Sequence, residues 1–279
     1  MADTPPFLDR NLLEGTLYQD QQRLAARTGS LLSAKISGRP APQVITRHAA
    51  DANPGSGLVL DIGCGRGATT LALARALPDA RICAIDASAS LLTAARDRLS
   101  LHGLSAPTLR ADFHRLPLAS GQAAVAVAAF CLYHSPTPYQ AVQEIARCLE
   151  PGGRAILATK SADSYASLDR LMEKAGLDPK ATNRISLYAA FHSGNLRATA
   201  EGVLDLVHIE HEVHRFRFPD LGHAAAYLAT SPKYALPASL SGNRDALASR
   251  LKSAVPDGPV ETASVVSYLV GTKPSGRTA

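Results

Sequence analysis

The chain has 279 residues, 46% of them hydrophobic and 19% charged, with a formal net charge of +5. That length and apolar content suffice for the core of one large domain, or of a domain with a helical appendage, and no apolar run approaches the roughly 20 residues that span a bilayer. The opening MADTPPFLDRNLLEG has neither a basic n-region nor an apolar h-region, so the expectation is a soluble, cytoplasmic protein with no membrane partner.

In chain order, residues 5 to 51 carry no strand signal, only helix-like patches at 8–17, 18–32 and 42–50 broken by Gly29, Gly38 and Pro40. They read as a helical preface, an N-terminal lid over 1–52, with the main domain at 53–279. Apolar strands then alternate with amphipathic helices. Strands are predicted at 58–62, 81–85, 108–111, 123–130 and 154–159, with helices at 68–77, 88–101, 138–149 and 164–175. Such alternation builds a doubly wound, mostly parallel sheet in an α/β, Rossmann-like fold. From Leu204 to Phe218 apolar and polar residues alternate, and a second β-rich run covers 265–272, which predicts an antiparallel C-terminal edge and seven strands in all. Residues 219–261 read as a helical insertion on the substrate side, broken by Pro232, Pro237, Pro256 and Gly258.

The most informative stretch is VLDIGCGRGATT, from Val59 to Thr70. A buried strand ends in Asp61 and passes into Gly63, Cys64, Gly65, Arg66 and Gly67 before a helix begins. Glycines there permit positive φ and let a ligand lie on the main chain, facing the free N–H groups of the next helix. Asp61 repels phosphate and attracts a cation, so the favoured ligand is nucleotide-like and positively charged. The second strand, RICAID, ends in Asp86 with Ala87 beside it, placed to accept both ribose hydroxyls. The third ends in Asp112 and Phe113, suited to an adenine amine and its ring. The turn also fits the relaxed dinucleotide pattern, which leaves an NAD-dependent oxidoreductase as a rival reading. Asp61, Gly67 and the helical preface argue against it.

On these residues the chain resembles the class I S-adenosylmethionine-dependent methyltransferases, in their type 11/25-like small-molecule branch. The resemblance covers Gly57 to Ser161, through DIGCGRG, Asp86, the Ala111-Asp112-Phe113 step and FCLYHSPTPYQAVQEIARCLEPGGRAIL. It implies S-adenosyl-L-methionine as cofactor. Asp61 and the loop from Gly63 to Gly67, Cys64 included, would hold the methionine moiety, Asp86 and Ala87 the ribose, and Asp112 with Phe113 the adenine. Phe130 would lie near the methionine end, and Tyr18 of the preface would close over the cofactor carboxylate.

His134 and Tyr133, just after the fourth strand, are the candidate catalytic pair, as a base or as groups that orient the substrate. The alternative for each is a loop residue serving the backbone. No metal site is expected. On a strand His208 and His214 face one way and His211 the other, and with Glu210 and Glu212 they read as a solvated polar face. The four cysteines show no CxxC or zinc spacing and read as reduced, packed thiols, and Arg66 is expected to face solvent. The functional expectation is methyl transfer to an N or O nucleophile of a small polar molecule, with specialised metabolism as its setting. An RNA or nucleotide methyltransferase is the alternative, disfavoured because Lys and Arg are scattered and no Asn-Pro-Pro-Tyr type motif follows the fourth strand. A cofactor-binding protein without transfer activity is a further alternative, because a fold does not fix chemistry.

Overall fold

A computed structural model describes residues 6–8 and 21–275. Among them, in chain order, lie α1 (Gln21–Ala34), β1 (Lys35–Ser37), α2 (Ala41–Ala50), β2 (Leu58–Ile62), α3 (Ala68–Ala76), β3 (Arg81–Asp86), α4 (Ala89–Ser100), β4 (Thr108–Arg110) and β5 (Ala123–Ala129). Then come α5 (Pro138–Cys148), β6 (Leu149–Lys160), α6 (Ala166–Lys174), α7 (Leu196–Ala200), β7 (Asp205–Phe218), α8 (Leu221–Leu228), α9 (Arg244–Ala254) and β8 (Val260–Thr272). The strands form one sheet of eight in the order β1-β7-β8-β6-β5-β2-β3-β4. Pairs β2·β3, β2·β5, β3·β4 and β5·β6 are parallel, while β6·β8 and β1·β7 are antiparallel.

The anticipated doubly wound sheet with an antiparallel edge is therefore present, with one strand more than the sequence indicates. The extra strand is β1, in a region read as wholly helical. Its three residues, Lys35 to Ser37, are too few to show alternation and gain their β geometry by pairing with Arg215 and Phe216 of β7.

The chain divides into two compact units. One comprises residues 39–160 and 190–211 with the described residues from Val266 onward. Its centre is β2, buried from Val59 to Ile62 and flanked in parallel by β3 and β5, which explains a run without polar alternation. Val59 packs with Ile82, Val125, Val127 and Ile156, and Val44, Ile45 and Ala49 of α2 join the same core. Helix α2, which the sequence groups with the preface, is thus part of the wall of the sheet. Strand order reverses between β2 and β5, and this switch point, at the carboxyl ends of the strands, is where such folds bind ligands.

The other unit comprises the described residues up to Gly38 with 161–189 and 212–265. In it α1 packs along α8 and α8 along α9. Tyr165 holds the aromatic centre, its ring 5.5 Å from Phe216 and 5.6 Å from Tyr227. Asp169, buried, receives Lys233 at 2.5 Å and the Tyr234 hydroxyl at 3.0 Å. Among the described residues no helix is long and apolar enough to cross a membrane.

Candidate cofactor site at the strand tips

The turn after β2 has Gly63, Gly65 and Gly67 at φ +66°, +54° and +74°, the left-handed region that glycine alone enters freely. The three serve different ends. A Cβ at Gly63 would collide with the Cys131 side chain, which sits beneath the loop and donates its thiol to the Ile62 carbonyl at 3.3 Å. A Cβ at Gly67 would come within 2.8 Å of Ala95 on α4, so this glycine permits close helix packing. At Gly65 a Cβ would meet nothing within 4 Å among the described residues, so its face is the open one.

Asp61 is 1% exposed, and its carboxylate takes the Thr70 hydroxyl at 2.6 Å in the first turn of α3. A negative charge there suits the positive end of the helix. Burial dominates, and with the nearby Asp86 charge it pushes the Asp61 pKa up to about 6 against the hydrogen bonds from Thr70. Asp86, at the tip of β3, accepts the Gly65 N–H on one oxygen and the Ser88 N–H on the other, both at 2.9 Å. It therefore clamps the glycine turn to the start of α4 across 21 residues of sequence. Its pKa is also raised by burial. Ala87 beside it is exposed. Cys64 is buried, and burial together with Asp61 and Asp86 drives its thiol pKa far upward, so it offers wall and backbone but no thiolate.

The Asp112 side chain is 55% exposed and takes two donors on one oxygen, the His114 N–H at 2.9 Å and His114 Nδ1 at 2.7 Å. The half-buried Phe113 ring lies 4.7 Å from that of His114. Phe130, closing β5, holds φ at +58°, with its N–H on the Ala158 carbonyl at 2.8 Å and Lys160 Nζ 5.7 Å from its ring. A left-handed backbone costs a residue with a Cβ about 1–2 kcal/mol, and such strain gathers at functional turns. Tyr133 and His134 share the 3-10 turn from Leu132 to His134 with rings 4.6 Å apart, Tyr133 buried and His134 half-buried. Tyr18 lies outside the described residues.

The site residues at the tips of β2 and β3 are thus joined directly, through Gly65 and Asp86. The turn after β2 meets that after β5 through Gly63 and Cys131. Thr70, Cys131, His114 and Ser135 take part in this network and escaped the sequence reading. Thr70 had a signal, a hydroxyl in the first helical turn after an acidic strand end. The Arg66 expectation is corrected: the residue is half-buried, with Nε buried and without a partner among the described residues, and its carbonyl accepts Arg98 Nε at 2.8 Å.

On β7 the predicted parity holds but the solvated face does not. His214 is buried against Gly38, His211 meets Ser267 Oγ at 2.7 Å, and His208 lies 4.9 Å from the His48 ring. His48, His208 and Glu210 bring possible ligand atoms within 4.8 Å of one another. Glu210, however, is already paired on one oxygen with Arg39 and on the other with Arg47, two cations that oppose a metal. All four cysteines are free thiols, with Cys64, Cys131 and Cys148 buried.

The parts needed for S-adenosylmethionine fit this edge of the sheet. Gly65 leaves its main chain open, with nothing among the described residues within 4 Å of where a Cβ would stand. A carboxylate offers about four lone-pair sites, so Asp86 retains acceptor capacity for a diol beyond its two backbone bonds. Gly67 gives α3 no side-chain cap.

The class defined by this sheet and these strand tips is the class I methyltransferase fold. Residues 59–153 match the methyltransferase domain family. Malonyl-(acyl-carrier protein) O-methyltransferase from Alcanivorax borkumensis is 34% identical over 139 residues, 48% of this chain and 47% of that protein. Ubiquinone/menaquinone biosynthesis C-methyltransferase UbiE from Syntrophotalea carbinolica is 34% identical over 103 residues, 37% of this chain and 44% of that protein. The chain therefore spans less than half the length of either relative. A Bacillus halodurans protein described provisionally as a methyltransferase superposes with a TM-score of 0.58 at 16% identity, over 83% of this chain and 99% of that one.

Proposed function

We propose that the chain transfers a methyl group from S-adenosylmethionine to a small-molecule acceptor. The observation that carries the reading is the Asp86 clamp, which closes the glycine turn onto the tip of β3 while the face of Gly65 stays open. The methyltransferase domain match over the same residues supports it. When bound, the cofactor supplies a methyl group already activated on a sulfonium.

Asp86 and Ala87 receive the ribose, Asp112 and Phe113 the adenine, and the turn from Gly63 to Gly67, with Cys64 as wall and Phe130 alongside, the methionine end. Asp61 contributes a buried negative charge and steadies the start of α3 through Thr70. Alignment of the nucleophile in line with the departing sulfur contributes on the order of 7–11 kcal/mol to such reactions. The acceptor atom is N or O, with His134, steadied by the Tyr133 ring, taking the proton of an alcohol or phenol. One relative's printed name makes carbon the competing acceptor atom. Dispersed Lys and Arg support a small molecule over a nucleic acid. A cytoplasmic setting accords with four free thiols.

The test is incubation of the full chain with methyl-labelled S-adenosylmethionine and a panel of small amines, carboxylic acids, phenols and carbon acids, with RNA as a separate arm. Label on an N or O atom of a small molecule is the expected result. Label on RNA alone would contradict the acceptor class, and label on carbon the choice of atom.

A further inference from the structure

His114 sits between two groups from separate parts of the sheet edge. Its Nδ1 lies 2.7 Å from Asp112 Oδ1, and its Nε2 lies 2.7 Å from Ser135 Oγ. Ser135 Oγ accepts the Thr137 N–H at 3.0 Å and shares a hydrogen bond with His114 Nε2. An ionised carboxylate only accepts, so Nδ1 must carry the hydrogen that meets Asp112. The His114 N–H reaches the same carboxylate oxygen at 2.9 Å.

Burial falls steeply along this relay. Ser135 is 0% exposed, and its N–H is bonded to the Leu132 carbonyl at 3.0 Å. The His114 side chain is 25% exposed and that of Asp112 55%. An exposed aspartate ordinarily samples several rotamers. Here two donors from one residue hold Asp112 Oδ1, and that residue is anchored in turn by a buried hydroxyl. An acceptor held in place recognises a donor without an ordering cost at binding.

We propose that His114 is a positioning residue that sets the base selectivity of the cofactor site: it holds the Asp112 carboxylate as an acceptor for the 6-amino group of adenine. The inference rests on the cofactor reading above. A purine with oxygen at position 6 presents a second acceptor to that carboxylate, and a site built around a hydrogen bond rejects a ligand that cannot make it. The relay ends in Ser135, next to His134, so the same residues tie the adenine clamp to the turn that carries the candidate catalytic pair.

The test is titration calorimetry of the full chain with S-adenosylhomocysteine and S-inosylhomocysteine, on wild type, His114→Ala, His114→Asn and Ser135→Ala. Wild type is expected to prefer the adenosine ligand at least about tenfold, the scale of one hydrogen bond to a charged group. His114→Ala loses most of that ratio. His114→Asn, whose amide nitrogen donates from a similar position, keeps most of it, and Ser135→Ala falls between. An unchanged ratio in His114→Ala overturns the proposal. So does an equal loss in His114→Ala and His114→Asn, which would mark the ring's bulk rather than its donor. If wild type binds neither ligand, the cofactor reading itself falls, a result distinct from a bound but unselective wild type.

Discussion

Asp61 shows how one residue can be costly and still be kept. It lies on the most buried strand, and its ionised form is held by little beyond Thr70 and the start of α3. Because its pKa rises from 3.8 to about 6 on folding, the unfolded state releases this proton first as pH increases. Stability from this group is therefore full below the unfolded value, falls through the window up to about 6, and stays reduced above it. A change of about two pKa units corresponds to roughly 3 kcal/mol. Urea unfolding of wild type and Asp61→Asn at pH 4 and pH 7 is expected to show wild type losing roughly that much stability relative to the variant over the interval. A difference that stays flat with pH would contradict the burial argument. At this scale the glycine turn was legible, because a left-handed backbone demands glycine wherever it occurs. The separate tasks of Gly63, Gly65 and Gly67 were not, since they depend on Cys131 and Ala95, partners remote in sequence. His114 was hidden for the same reason: its hydroxyl partner lies 21 residues away.

Among the elements, β2 to β5 were read to within about a residue, because each buried strand is a short apolar run, whereas β6 begins at Leu149, five residues before the predicted 154, since Glu150, Pro151, Gly152 and Gly153 carry no strand signal. β1 was missed, since three residues carry no period and acquire strand geometry only from β7. Helix α2 was found, yet its place was not. Periodicity reveals which face of a helix is apolar and leaves open what covers it. Val44, Ile45 and Ala49 of α2 share a core with β2, β3, β5 and β6. Ile45 is 0% exposed, so Ile45→Ala is expected to destabilise the protein by about 2–5 kcal/mol in a single urea transition. A transition midpoint unchanged by the substitution would show α2 to be a peripheral cover rather than part of the sheet's wall. β7 gives a related lesson. Its alternation predicted which residues share a face, but that His214 would be buried depended on Gly38, whose missing side chain makes room for the ring.

For the whole molecule, the arrangement of the sheet matters more than any single motif. The strand order places β2 and β5 side by side at the reversal point, and the acidic tips of β3 and β4 follow on one side of it. The net charge of +5 is dispersed along the chain and forms no basic tract for a polyanion, while Asp61, Asp86 and Asp112 lie at or just past the ends of β2, β3 and β4. A dinucleotide would bring its diphosphate to this acidic edge, whereas a sulfonium and an ammonium group match it. The most direct test is titration calorimetry of the full chain with S-adenosylhomocysteine and, separately, with NAD. Saturable one-to-one binding of S-adenosylhomocysteine and none of NAD is the predicted result. Binding of NAD with no binding of S-adenosylhomocysteine would contradict the account.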